Sequence, residues 1–484
     1  MAITKNFEYI PKDKRKKILL ICDDIRVHSG VATVAKEIVV HTANHFNWVQ
    51  IAGAIKHPEN GKVLDLSKDT NNLLKIDDSM VKLFPVDGYG NEQILREILK
   101  IEKPDAVMLF TDPRYFQFIF RMEAEIRKVC PITYLNIWDD YPAPMYNSAF
   151  YEACDLLMGI SKQTVNINKL VLKGKEKNKI FKYLPHGKDS SLFYPLSNKE
   201  KSTKEFTDFK KQIFGTKKPK FVAFFNSRNI RRKQIPDTML AFREFLYSLP
   251  KEEANECYLI LHTEAVTDHG TDLNKVKEYL FDEHFGNQVI FSHSKLPESH
   301  LNYLYNIADV QMLLTSNEGW GLTLTEAILS GTPVIANSTG GMQDQLRFVD
   351  ENGEWFTPSA DIPSNHRGTY KEHGEWAFPV YPTSNSIQGS PPTPYIYDDR
   401  CSWEDAFKRL QEVYNLPPEE RVARGLKGRE WAISEEAGFT SEHQANRFVE
   451  AFDELFKTWK PREKYELVNA NEYKGKFLNH KTIY

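Results

Sequence analysis

Short apolar runs alternate with amphipathic stretches along this chain, and the alternation begins twice. KKILLICDD (16–24) is a buried-strand run closed by polar residues. VHSGVATVAKEIVVHTANH (27–45) turns on a glycine and then repeats its apolar positions at about 3.6 residues, and NWVQIAGA (47–54) is strand-like again. Strand, glycine turn, helix and strand in that order open a parallel α/β layer. The rhythm continues through DAVMLF (105–110), PRYFQFIFRMEAEIRKVC (113–130), ITYLNIWDD (132–140) and DLLMGIS (155–161). KYLPHGKDSSLFYP (182–195) breaks it. After a lysine-rich stretch, KFVAFFNSR (220–228) starts a second series, with a helix at 236–249, strands at 257–263 and 288–293, a helix at 300–308 and a strand at 310–316. The predicted fold is α/β, with two Rossmann-like domains facing each other across a cleft.

The expected boundaries are an N-terminal domain over 1–195, a basic linker over 196–219, a C-terminal domain over 220–440, and a last helix and tail over 441–484 that pack back toward the first domain. Residues 354–400 are rich in Pro, Gly, Ser and Tyr without periodicity, and read as an insertion. No apolar run approaches the roughly 18–20 residues of a membrane span. The N-terminus has no apolar segment of signal-peptide type. The five cysteines are scattered with no CxxC pair, which points to a reducing cytoplasm, a host's if the source is viral. Net charge is −3, but it is unevenly spread. Residues 1–250 hold 41 Lys and Arg against 29 Asp and Glu, and residues 251–484 hold 22 against 37. A basic half suits an anionic partner or a solvated lysine surface.

The stretch SNEGWGLTLTEAILSGTPVIANSTGG (316–341) places Glu318 and Glu326 eight positions apart, with Gly319, Trp320 and Gly321 between them. TLTE (323–326) has capping-box form, Thr323 capping the helix and Glu326 reaching back. The helix N-terminus so formed offers free N–H groups to an anion, while carboxylates beside it suit hydroxyl groups. Phosphate and polyol together describe a nucleotide sugar. NSRNIRRKQ (226–234) adds Arg228 and Lys233 on a turn, cations suited to a diphosphate.

These segments resemble the retaining GT-B glycosyltransferases of family 4. The resemblance rests on Arg228 and Lys233, on Glu318, Gly319, Gly321, Leu322, Glu326, Ala327, Gly331, Pro333, Val334 and Ala336, on Pro185, Gly187, Asp189 and Phe193, and on Gly30 in HSGVATVAKEI. It implies that Arg228, Lys233 and Glu318 act at the reacting centre, the first two on the donor diphosphate and Glu318 on sugar hydroxyls. Glu326 would hold the ribose, and Leu322 and Thr323 would meet the phosphates through their backbone, with Gly319, Trp320, Gly321 and Gly30 close by. Leu296, within SHSKLPES (292–299), would border the base. It further implies a UDP-linked donor, anomeric retention, and no cofactor or metal. Asp23–Asp24, Asp139–Asp140 and Asp398–Asp399 are then expected as surface or capping residues. Ser227 and Gln234 stand where the family usually has glycine, which implies a less tight turn.

Asp139 and Asp140 lie at a strand's C-terminal end, where an open sheet binds ligands, and are candidate sugar or acceptor contacts together with His28 and His186. The basic N-terminal half and its interleaved aromatics favour hydroxymethylated pyrimidine in DNA as the acceptor, of the kind modified by viral enzymes. A saccharide or lipid-linked acceptor is the alternative. An epimerase, or a non-catalytic nucleic-acid-binding protein on the same scaffold, would represent other classes of function.

Overall fold

The computed structural model describes residues 9–281, 284–292 and 295–462. The first sheet comprises β1 (Lys16–Asp23), β2 (Phe46–Gly53), β3 (Leu64–Asp65), β4 (Val81–Pro85), β5 (Ala106–Phe110), β6 (Ile132–Asn136), β7 (Leu156–Gly159) and β8 (Ile180–Tyr183). Its order is β3-β4-β2-β1-β5-β6-β7-β8, with every neighbouring pair parallel except β3 and β4. β1 is apolar on both faces because helices cover both. Leu19 stands opposite Val49 on one side and Val107 on the other. Ser29 caps the first long helix, Gly30–Thr42, by accepting from the Ala32 N–H at 3.0 Å.

The second sheet is wholly parallel, in the order β11-β10-β9-β12-β13-β14. Its strands are β9 (Phe221–Asn226), β10 (Cys257–His262), β11 (Val289–Ser292), β12 (Val310–Leu313), β13 (Val334–Asn337) and β14 (Ala377–Val380). In both sheets the chain reverses its strand order beside the first strand. The loops leaving β1, β9 and β12 therefore gather at the carboxyl edges where the two domains meet.

Two stretches differ from the sequence reading. The expected basic linker holds two helices, Asn198–Lys201 and Lys204–Phe214. The second is amphipathic and packs on the C-terminal domain, Phe206 and Phe209 against Tyr303 and Phe214 against Tyr258. The aperiodic stretch 354–400 supplies β14 to the second sheet and continues into an antiparallel hairpin, β15 (Pro382–Ser390) and β16 (Thr393–Cys401). That hairpin crosses to the first domain: Tyr397 N–H donates to the Tyr141 carbonyl at 2.6 Å, Tyr146 hydroxyl to the Tyr395 carbonyl at 2.8 Å, and Arg114 to the Thr393 hydroxyl at 2.6 Å. The last helix, Ser441–Thr458, returns to the first domain, stacking Phe448 and Phe452 beside Phe46 and Trp48. The tail over 463–484 lies outside the described residues. Among the described residues no helix is long and apolar enough to cross a membrane.

Candidate active site

β12 delivers the chain into the loop 314–321, and the helix Leu322–Leu329 leaves it. The cap of that helix is Gly321, at φ +90, with no side-chain cap. The capping box is thus not formed. A left-handed glycine turns the backbone where Thr323 was expected to cap, and Glu326 is drawn elsewhere. Its Oε2 accepts from Tyr305 hydroxyl at 2.7 Å and its Oε1 lies 3.1 Å from Lys188 Nζ. Glu326 is only 6% exposed. The first N–H groups of the helix have no partner within it and face the domain boundary. A Cβ built on Gly30 would find Leu322 Cδ1 at 3.9 Å, so the first glycine loop of domain one lies directly across from this helix start.

Glu318 is fixed from β9's side. The turn after β9 is held by the buried Asn229, whose amide donates to the carbonyls of Thr271 (2.7 Å) and Glu264 (3.1 Å). It ends in a single 3-10 turn, Arg231–Lys233, that faces its three cations differently: Arg231 is exposed, Arg232 half-buried and Lys233 buried. Arg232 Nη1 and Lys233 Nζ both bond Glu318 Oε2, the former at 3.1 Å. Oε1 of Glu318 has no partner among the described residues. Burial pushes the Glu318 carboxyl up, but Lys233 and Arg232 overcome that and hold it at about 2. Arg228 is exposed and its side chain makes no hydrogen bond or ion pair among the described residues, which leaves it available to an anion. Gln234 sits at φ +48, so the turn keeps the left-handed backbone a glycine would favour and is no looser for the substitution. Arg232 was not singled out from the sequence; three basic residues in a row give no sign of which ones turn inward.

Other candidates separate. Gly319 is close-packed by domain one, since a Cβ there would lie 2.9 Å from Ile160 Cδ1 and 3.0 Å from the Ile137 carbonyl oxygen. The Trp320 ring does not face the cleft. It is 2% exposed, donates to Thr325 hydroxyl at 2.9 Å and packs edge-on against Phe439 and His186. His186 is buried between Trp320 and Phe110, and burial lowers its pKa to about 3 against the pull of Glu318. It is a neutral wedge rather than an acceptor contact. His28 is exposed in the loop before Gly30. Leu296 is half-buried, next to residues 293–294, which lie outside the described residues.

The paired aspartates are not surface residues. Asp24 is fully buried, 2.7 Å from Arg26 and 2.8 Å from His57, and Asp23 accepts from Ser29 and Tyr89 hydroxyls. Asp139 is half-buried in the cleft, where burial raises its pKa while Arg232 opposes. Asp140 is withdrawn from any acceptor: both it and Asp399 are 0% exposed, and Thr339 hydroxyl bridges them at 3.2 and 2.7 Å. Burial first, and then the Asp399 carboxylate, push the Asp140 carboxyl well up. With His366 these two carboxylates form a group whose ligand atoms lie within 4.8 Å of one another, a spacing that could hold a cation.

Two Rossmann-like domains meeting at their sheet edges, with a glycine loop opposite a helix N-terminus, define the GT-B class of fold. Residues 206–364 match the family described as Glycosyl transferases group 1, a third of the chain that contains every C-terminal candidate residue. The chain is 28% identical to alpha-monoglucosyldiacylglycerol synthase of Acholeplasma laidlawii over 184 residues, 38% of this chain and 42% of that protein. It spans less than half the length of the curated relatives it matches. Sucrose-phosphate synthase from Thermosynechococcus elongatus superposes with a TM-score of 0.64 at 15% identity, covering 92% of this chain and all of the other. Anabaena HepE in complex with UDP and glucose gives 0.61 at 14%, covering 91% of this chain and all of the other.

Proposed function

We propose that the protein is a glycosyltransferase that moves a hexosyl or pentosyl group from a UDP-sugar to a hydroxyl acceptor, with retention and without a metal. One observation carries this reading. Two cations converge on a single oxygen of Glu318 ahead of a helix N-terminus, leaving the other oxygen for sugar hydroxyls, while the exposed Arg228 is near enough to act on the Lys233 charge. The charge that develops on the leaving diphosphate would fall between Arg228 and the N–H groups of Leu322 and Thr323, with Gly30 allowing close approach from domain one. The leaving oxygen would take the acceptor's proton on the same face, so no side chain need attack. Glu326 would accept from the ribose hydroxyls, and Asp139 would meet the sugar or acceptor from across the cleft.

We propose a saccharide or lipid-linked hydroxyl as the acceptor. Two proteins similar to this chain, alpha-monoglucosyldiacylglycerol synthase and sucrose-phosphate synthase, are named for a glycolipid and for a sugar phosphate. Part of the basic N-terminal half lies away from the cleft. Lys173, Lys175, Lys177 and Lys179 lie between the helix Lys162–Val171 and the start of β8, at the opposite edge of the sheet. Lys175 pairs with Glu152, Lys179 donates to the Glu152 and Cys154 carbonyls, and Lys162 donates to the Phe356 carbonyl across the domain boundary. The test is UDP release and product mass from a panel of UDP-sugars with saccharide, glycolipid and hydroxymethylcytosine-containing duplex DNA acceptors. Release with a product heavier by one sugar is expected with a saccharide or glycolipid, and Arg228→Ala and Glu318→Gln should each lower kcat by about 10²-fold or more. A product on DNA alone would restore the nucleic-acid acceptor. No release with any donor from folded protein would overturn the reading.

A further inference from the structure

Lys188 stands where the chain first leaves domain one. The preceding Gly187 has no room for a side chain, because a Cβ would lie 2.2 Å from the Thr440 carbonyl oxygen. Lys188 N–H donates to the Phe439 carbonyl at 3.1 Å and its own carbonyl accepts from Ser441 N–H at 3.1 Å. The outgoing and returning crossings between the domains are thus joined at this one residue. Its side chain runs into the C-terminal domain and is 6% exposed. Nζ lies 3.1 Å from Glu326 Oε1, 3.6 Å from Glu298 Oε1 and 4.9 Å from the centroid of the Phe193 ring.

The charged groups facing Lys188 come from three helices: Glu326 on Leu322–Leu329, Glu298 at the start of Glu298–Ile307, and Glu37 on Gly30–Thr42 of domain one. Glu37 itself accepts from Ser441 hydroxyl at 2.8 Å and pairs with His41 at 3.2 Å. Burial works against the ammonium, but the three carboxylates outweigh it and keep it charged. Among the described residues no other lysine or arginine pairs with Glu326 or Glu298. Burying a carboxylate such as Glu326 costs free energy unless partners of this kind offset its desolvation.

We propose that Lys188 is a positioning residue for donor binding: it and Tyr305 lock the Glu326 carboxylate to receive the ribose hydroxyls, and its backbone ties that grip to the interdomain crossing. This rests on the reading of Glu326 as the ribose carboxylate. The aliphatic stem fits the position beside Phe193, so Lys188→Met keeps the bulk and removes the charge.

The test is calorimetric titration of the full chain, wild type and variants, with UDP and with 2′,3′-dideoxyuridine diphosphate. Wild type should favour UDP by about tenfold or more, the worth of a hydrogen bond to a charged group. Lys188→Met and Glu326→Gln should each abolish that preference, the double variant should be no worse than Glu326→Gln alone, and Lys188→Arg should recover part of it. The double variant also guards against misfolding, since it leaves no unpaired buried carboxylate at that position. A folded Lys188→Met that discriminates like wild type overturns the proposal, as do losses that multiply in the double variant. Wild type that binds UDP without ribose preference overturns the ribose role and Lys188 with it, but leaves the donor site standing. Wild type that binds neither UDP nor ADP, GDP or CDP overturns the donor site itself, and the proposal falls with it.

Discussion

Glu318 combines burial with charge, and the two pull its pKa in opposite directions. Burial favours the neutral acid, yet Lys233 and Arg232 hold the carboxyl at about 2 against an ordinary 4.5. A folded value below the unfolded one means that the unfolded chain takes up protons first as pH falls. The stabilisation is therefore complete above about pH 4.5 and is lost as pH drops toward 2. The advantage of wild type over Glu318→Gln in urea unfolding should be level from pH 8 to 5 and shrink from pH 4.5 downward. An advantage unchanged between pH 6 and 3 would show that the ion pairs do not stabilise the fold. Glu318, Arg228 and Lys233 were legible in the sequence because their spacing sits in one short segment each. Lys188 was not, because its partner Glu326 is 138 positions away and only the folding of the crossing brings them together. His186 misled for the opposite reason: its position near a sheet edge is visible in sequence, but the Trp320 and Phe110 rings that bury it are not.

The helix Leu322–Leu329 shows how one turn residue changes an element's beginning. A capping box predicts that Thr323→Ala costs about 1 kcal/mol. With Gly321 at φ +90 as the cap and no side-chain oxygen on the first N–H groups, Thr323→Ala should stay within about 0.5 kcal/mol. Gly321→Ala should cost about 1–2 kcal/mol, because an alanine is forced into the left-handed region. The built Cβ meets Glu318 Cγ and Met342 Cγ at 3.5 Å, ordinary contact, so the cost is in the backbone. Chemical denaturation of the two variants separates the accounts, and a larger loss from Thr323→Ala would reinstate the box. Strands such as β1, β9 and β12 were readable because burial on both faces leaves continuous apolar runs. β15 reads PTSNSIQGS, with most of its residues exposed, and carries no such run. Its pairing with β16 and its reach to Tyr141 and Tyr146 are properties of the backbone, which sequence periodicity does not report.

At the scale of the whole molecule, the domains meet through buried ionisable groups as well as through the hairpin and the last helix. Asp344 of the C-terminal domain accepts from Lys162 N–H at 2.9 Å and from Tyr183 hydroxyl at 3.0 Å, both in domain one. Burial raises its carboxyl to about 6, although Lys162 pulls the other way, and burial lowers Lys162 to about 8. A folded value above the unfolded 3.8 means that the folded protein holds a proton the unfolded chain releases. Stability from this group is present below pH 3.8 and declines as pH rises through 6, after which the decline stops. Asp344→Asn keeps an oxygen acceptor for Lys162 and Tyr183 and removes the charge. Its Tm should match wild type near pH 3.8, exceed it increasingly up to pH 6, and keep that margin at pH 7.5. A variant less stable than wild type at pH 7.5 would mean that attraction to Lys162 outweighs burial. Because Asp344 bonds Lys162 and Tyr183 across the domain boundary, the same comparison bears on the proposed transfer, whose donor would enter between the domains. If the boundary limits opening, Asp344→Asn should slow product release at pH 7.5 in the same measure as it gains stability.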